Sequence, residues 1–200
     1  MNYTDFHKSL IEEGSGVPVI IIDVQPSYDK WCSKVAYKLM PFLNKRQGKI
    51  LAFFNGPDLG MEDSDEVMNY FIEHGLDEEL ASRVDFRAKT YAFFRPWMDS
   101  GMDRKNLIKA IRYMVLKRVN DSRDIDSSEW PAVFGDEYND VEHIVNGNDS
   151  IFMPDVSLQE LKQYSGCYLC GGGKDECLSE FRLILEALNI KYKLVGDFIY

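Results

Sequence analysis

The run Val17-Pro-Val-Ile-Ile-Ile22 constrains the fold of this chain more than any other segment. It is continuously apolar and β-branched, the pattern of a strand buried on both faces. Such a strand needs helices above and below it, which is the architecture of a parallel α/β sheet. The run ends in Asp23-Val-Gln25, and Pro26 stops it. Residues 28–46 then read as a helix, with Trp31, Val35, Leu39 and Leu43 spaced to form one face. Gly48 closes that helix. Lys49-Ile-Leu-Ala-Phe-Phe54 is a second apolar strand, and Asn55-Gly-Pro57 is a turn.

The alternation then pauses. Residues 1–16 suggest a short polar helix, and residues 64–75 and 103–118 two more. The latter pair is joined by Phe86 to Met98. Residues 120–140 are acidic and turn-rich. A third strand is expected at Val141–Val145, and a short helix at 156–164. A strand at 167–170, a helix at 176–189 and a last strand at 191–196 follow. The expectation is one α/β domain over residues 1–200, with three layers and a mainly parallel sheet flanked by helices. Residues ~62–140 read as a mostly helical insertion within it. The cluster Tyr91, Phe93, Phe94, Trp97 and Met98 is expected to be core of that insertion. A substrate pocket or an oligomer contact is the alternative.

Chemistry concentrates in Cys170-Gly-Gly-Gly-Lys-Asp-Glu-Cys177. A glycine turn leaves a strand, and a cysteine opens the next helix. Helix N-termini carry free N–H groups and partial positive charge, which favour a thiolate, the nucleophilic form. Asp175 would cap or support the helix start. Ligands of open parallel sheets bind beyond the carboxyl ends of the strands. Asp23 ends the first strand, so if the two strands are neighbours, carboxylate and thiol share one crevice. Ending an apolar strand on a charge is costly unless the charge is paired or wet, which also points to a site. Lys174 beside three glycines does not fit the phosphate-loop spacing. Cys167 and Cys170 would face opposite sides of a strand, so core thiols are the better reading than a zinc half-site.

The formal net charge of −10 argues against nonspecific nucleic-acid or anionic-membrane binding. No apolar run approaches the ~20 residues of a membrane span, and the start lacks the regions of a signal peptide. Four cysteines in a chain of this size read as reduced thiols in a cytoplasm.

The two site segments together resemble the isochorismatase-like cysteine hydrolases, which include nicotinamidases. That family opens with an apolar strand ending in Asp-x-Gln, matched by Ile20-Ile-Ile-Asp-Val-Gln25. Its nucleophile lies in Gly-x-x-x-Asp-x-Cys-Val, here Gly171-Gly-Gly-Lys-Asp-Glu-Cys177-Leu178. A helix ending in Ala-Leu and a strand reaching an Asp are similar to Glu186-Ala-Leu through Asp197. The match covers the first ~55 and last ~60 residues. The resemblance implies Cys177 as nucleophile, Asp23 as general base and a lysine completing a triad. It further implies a cis peptide at Gly172–Gly173 that helps form an oxyanion hole, with Gln25 and Asp175 in supporting places.

The departures concern the lysine and the metal. Counting back from Ser150-Ile-Phe152 to the family's lysine position lands on Asn146. Lys89, in Lys-Thr-Tyr-Ala-Phe-Phe94, has a similar local pattern but lies far upstream, so either it supplies the lysine or the triad is incomplete. Asn55-Gly-Pro-Asp58-Leu-Gly60 lacks the histidine of the nicotinamidase metal site, so no metal and no cofactor are expected. The chain also stops soon after Asp197, which suggests a trimmed far edge. The leading expectation is a metal-independent amidohydrolase acting on a small amide through a thioester, in a homo-oligomer. The alternative is a diverged binding or scaffold protein of the same fold. A vinyl-ether hydrolase, a weaker option, would not need the cysteine.

Overall fold

A computed structural model describes residues 14–89, 93–154 and 156–200. Among the described residues, five strands form one sheet: β1 (Val19–Ile22), β2 (Ile50–Asn55), β3 (Val84–Lys89), β4 (Cys167–Gly171) and β5 (Tyr192–Leu194). Their order is β3-β2-β1-β4-β5, and every pairing is parallel. The apolar run read from the sequence is thus the central strand, fully buried along its length.

Period-two alternation divides the core into two layers. Val19, Ile21, Ile50, Ala52 and Phe54 face α1 (Asp29–Leu43), α2 (Ser64–Glu73) and the short α3 (Glu78–Ala81). Ile20, Ile22, Leu51 and Phe53 face the other way. Covering them are α4 (Arg95–Asp99), α5 (Arg104–Lys117), α6 (Trp130–Phe134), α7 (Tyr138–Val145), α8 (Leu158–Lys162) and α9 (Cys177–Ala187). The fold is therefore a three-layer α/β structure, as the strand pattern predicts. Phe181 of α9 is fully buried, with its ring 5.0 Å from Phe53 and 6.3 Å from Phe93. Burying one such side chain contributes roughly 1.5–3 kcal/mol. Phe93, Phe94 and Trp97 are core residues of this layer; Tyr91 and residues 1–13 lie outside the described residues. Cys167 and Cys170 sit in opposite layers, as their spacing requires.

Three of the helices start where side chains satisfy free backbone donors. Asp63 and Glu66 form a capping box at α2, and Ser157 and Glu160 form one at α8. Asp103 caps α5 by accepting from the Asn106 N–H.

Two expectations are corrected. Val141–Val145 is not a strand but the end of α7, with Val141 and Ile144 buried on one helical face. Their separation of one helical turn outweighs the β-branching of the valines. The second concerns residues ~62–140: they are mostly helical, but they also supply β3, the sheet's edge strand, where no strand was expected. Val84-Asp-Phe-Arg-Ala-Lys89 has no apolar run, since an edge strand is only partly covered. Among the described residues, no helix is long and apolar enough to cross a membrane.

Candidate active site

The strand order reverses direction at β1: β2 and β3 lie to one side, β4 and β5 to the other. Such a switch point opens a crevice beyond the carboxyl ends of the strands. Asp23 follows β1 at the head of that crevice. Its backbone is left-handed, with φ of 54°, an arrangement that costs an ordinary residue roughly 1–2 kcal/mol. Its N–H is held by the Phe53 carbonyl at 2.9 Å, and the residue is 1% exposed.

Lys89 ends β3, in register with Asn55 at the end of β2. Two strand spacings, about 10 Å, separate β3 from β1, and the long lysine side chain crosses this gap over the end of β2. Its Nζ lies 3.0 Å from Asp23 Oδ1 and donates to Asn55 Oδ1 at 2.7 Å. The Phe93 ring centroid is 5.3 Å away. Cys177 is the first residue of α9, half-buried, and lines the same cleft as Asp23, close enough for each group to bear on the other's ionisation. Asp23, Lys89 and Cys177 therefore meet, although they come from three separate βα junctions.

The glycine turn makes this approach possible. Gly171 and Gly172 have φ of 77° and 61°. A Cβ on Gly171 would lie 2.2 Å from the Ile22 carbonyl oxygen, so the turn can lie against β1 only with glycine there. The peptide bonds among the described residues are all trans, Gly172–Gly173 included. The expected cis bond is replaced by consecutive left-handed glycines, which reverse the chain by themselves. Within α9 the first intrahelical acceptor is reached by Glu180, whose N–H bonds the Glu176 carbonyl at 3.1 Å. The N–H groups of Cys177, Leu178 and Ser179 precede that first bond, and Cys177 itself lines the crevice.

The electrostatics differ from the sequence expectation. Burial pushes the Asp23 carboxyl above its usual range, with Lys89 and Cys177 pulling the other way. Burial also pushes the Cys177 thiol up; the adjacent Asp23 charge adds to this and Lys89 opposes it. A helix N-terminus is worth at most ~2 kcal/mol, less than desolvation and a neighbouring carboxylate together. Both influences favour the thiol form of Cys177 over a preformed thiolate.

Asp23, paired with Lys89, and Cys177 line a cleft of about 680 Å³, a volume suited to a small molecule. Tyr28, Trp31 and Arg95 wall it, and Gly173–Glu176 forms one lip. Trp31 is 57% exposed at the mouth. Glu180 is buried beside Cys177, and its Oε1 accepts from the Phe94 and Arg95 N–H groups at 2.7 and 2.6 Å. It thereby fixes the start of α4.

The supporting residues separate. Gln25 is not in the cleft: its Oε1 accepts from the Asn55 N–H at 2.8 Å and its Nε2 donates to Glu62 at 2.6 Å, fastening the end of β2. Asp175 stands exposed on the lip and its side chain does not cap α9; its carbonyl accepts from Arg95 at 3.3 Å. Asn146 is outside the site. It terminates α7 and donates to the Tyr138 hydroxyl at 2.9 Å, because the strand expected before it is a helix. Asn55, Glu180 and Tyr28 were not singled out as site residues from the sequence. Asn55 ends a buried strand with a polar group, as Asp23 does, and its Nδ2 donates to the Tyr28 hydroxyl at 2.5 Å. Glu180 stands one helical turn beyond Cys177 and so shares its face. Both signals were present in the sequence. No protein-family model, curated protein or solved structure matches the chain.

Proposed function

We propose that this protein is an isochorismatase-like cysteine hydrolase that cleaves the C–N bond of a small amide. One observation carries the reading: a carboxylate with an ammonium 3.0 Å from it and a thiol, supplied by three βα junctions, come together, and the carboxylate and the thiol line one cleft. Asp23 takes the Sγ proton as Cys177 attacks the carbonyl carbon, so charge moves from carboxylate to thiolate to oxyanion. N–H groups at the start of α9 hold that oxyanion, and Lys89 keeps the buried charge compensated throughout. Collapse breaks the C–N bond, and the amine leaves with the proton stored on Asp23. A thioester on Cys177 remains. Asp23 then deprotonates water, which releases the acid and restores the thiol.

The small substrate, homo-oligomeric assembly and reducing cytoplasm belong to the same proposal. The test is turnover of a panel of amides and ureides by wild type and Cys177→Ala. Loss of turnover in the variant is expected; equal turnover sinks the mechanism. A second reading, a scaffold protein that has kept this fold, is favoured by the upward shift of the Cys177 thiol. Absence of turnover across the panel would support it.

A further inference from the structure

Tyr200 ties together the two loops that carry Asp23 and Cys177. Its hydroxyl donates to the Asp23 carbonyl at 2.8 Å. Its N–H donates to the Gly172 carbonyl at 3.3 Å, and its own carbonyl accepts from the Lys174 N–H at 3.0 Å. Asp23 follows β1, whereas Gly172 and Lys174 belong to the turn after β4. A single residue therefore bonds the main chain on both sides of the crevice and also lines the cleft.

The clasp is itself anchored. Phe198, 1% exposed, packs its ring 4.9 Å from Phe42 of α1 and fixes the segment that delivers Tyr200. The phenol is held well above its ordinary range, first by burial and then by the Asp23 charge, so it remains a hydrogen-bond donor. The tie also lands where the backbone needs it. Asp23 occupies a left-handed conformation, which persists only when the surroundings over-determine it.

We propose that Tyr200 is a positioning residue, a clasp that sets the separation between the Asp23 carboxylate and the Cys177 thiol. Its catalytic consequence rests on the cysteine-hydrolase reading. Its geometric consequence does not, because a carboxylate held against a thiol raises the pH at which that thiol ionises whatever the substrate.

The experiment is Tyr200→Phe, which keeps the ring and deletes only the hydroxyl. The rate of Cys177 alkylation by iodoacetamide is followed against pH by peptide mass spectrometry. Releasing the Asp23 main chain loosens the carboxylate from the thiol, so the midpoint should move to lower pH. In an Asp23→Asn background, the same substitution should move it no further, because coupled residues are not additive. A midpoint identical to wild type overturns the proposal, as does an equal shift in the Asp23→Asn background. With a substrate, Tyr200→Phe should lower kcat about 10- to 100-fold at nearly constant KM, the effect of misplacing reacting groups. The alkylation result needs no substrate, so failure of the clasp and failure of the hydrolase reading are told apart.

Discussion

Lys89 and Asp23 form a buried ion pair, with side chains 0% and 1% exposed. Removing one partner strands the other charge in the core, which costs about 3–5 kcal/mol. Lys89→Met should therefore lower stability by that order in urea denaturation. The double variant Lys89→Met with Asp23→Asn should recover a large part of the loss; no recovery would mean that the pair is not coupled. The same two residues govern the pH response. The Asp23 carboxyl lies above its usual range, so it binds a proton at higher pH than a free carboxylate and stops acting as a base there. Hydrolysis should fall on the acid side through that raised value, and Asp23→Asn should lower kcat about 10²- to 10⁴-fold, the usual contribution of general-base catalysis. On the alkaline side, the raised thiol predicts Cys177 alkylation still climbing beyond pH ~8.5, where an ordinary thiol is half ionised. A plateau near neutral pH would contradict the thiol–carboxylate ground state. Cys32, Cys167 and Cys170, each 0% exposed, should stay unlabelled in the folded protein.

Among the elements, the turn after β4 is the most demanding. Gly171→Ala puts a methyl 2.2 Å from the Ile22 carbonyl oxygen, while a methyl at Gly101, also left-handed, meets open space. Both substitutions carry the ~1–2 kcal/mol of a left-handed L-residue, but only the first also clashes with main chain. Urea midpoints should therefore drop further for Gly171→Ala than for Gly101→Ala. How much of this architecture was readable followed from burial. β1, β2 and β4 are covered on both faces and announce themselves as apolar runs. β3 is an edge strand, only partly covered and carrying Asp85 and Arg87, so Val84–Lys89 reads as a connection. Lys89 was recognised from its neighbours Thr90 to Phe94, but its place at a strand end was not. The short segment Val141–Val145 is too brief for composition to separate strand from helix, and the packing of Val141 and Ile144 decides it. Asp23 and Cys177 were legible because each breaks a local rule: a charge ending an apolar strand, and a cysteine after bare glycines. Asn55 also ends a buried strand on a polar group, but uncharged and followed by Gly-Pro it reads as the start of a turn, whereas Tyr200 acts through the chain fold and breaks no local rule.

At the scale of the molecule, acidic groups outnumber basic ones by enough to give a formal charge of −10 and an isoelectric point near 4.8. Self-repulsion keeps such a surface apart at neutral pH and vanishes near that point. Light scattering should show a solubility minimum near pH 4.8, so acid-side kinetics are best read from soluble protein alone. The sheet order has a further consequence, for the birth of the protein. The central strand β1 bonds β2 on one side and β4 on the other, and β4 is translated long after it. Until residues 167–171 leave the ribosome, Val19–Ile22 presents an unpaired, wholly apolar edge, the kind of surface that recruits other nascent chains. Synthesis of this protein thus passes through a prolonged sticky interval, and a holdase that shields that edge should raise its yield more than one acting on the finished chain.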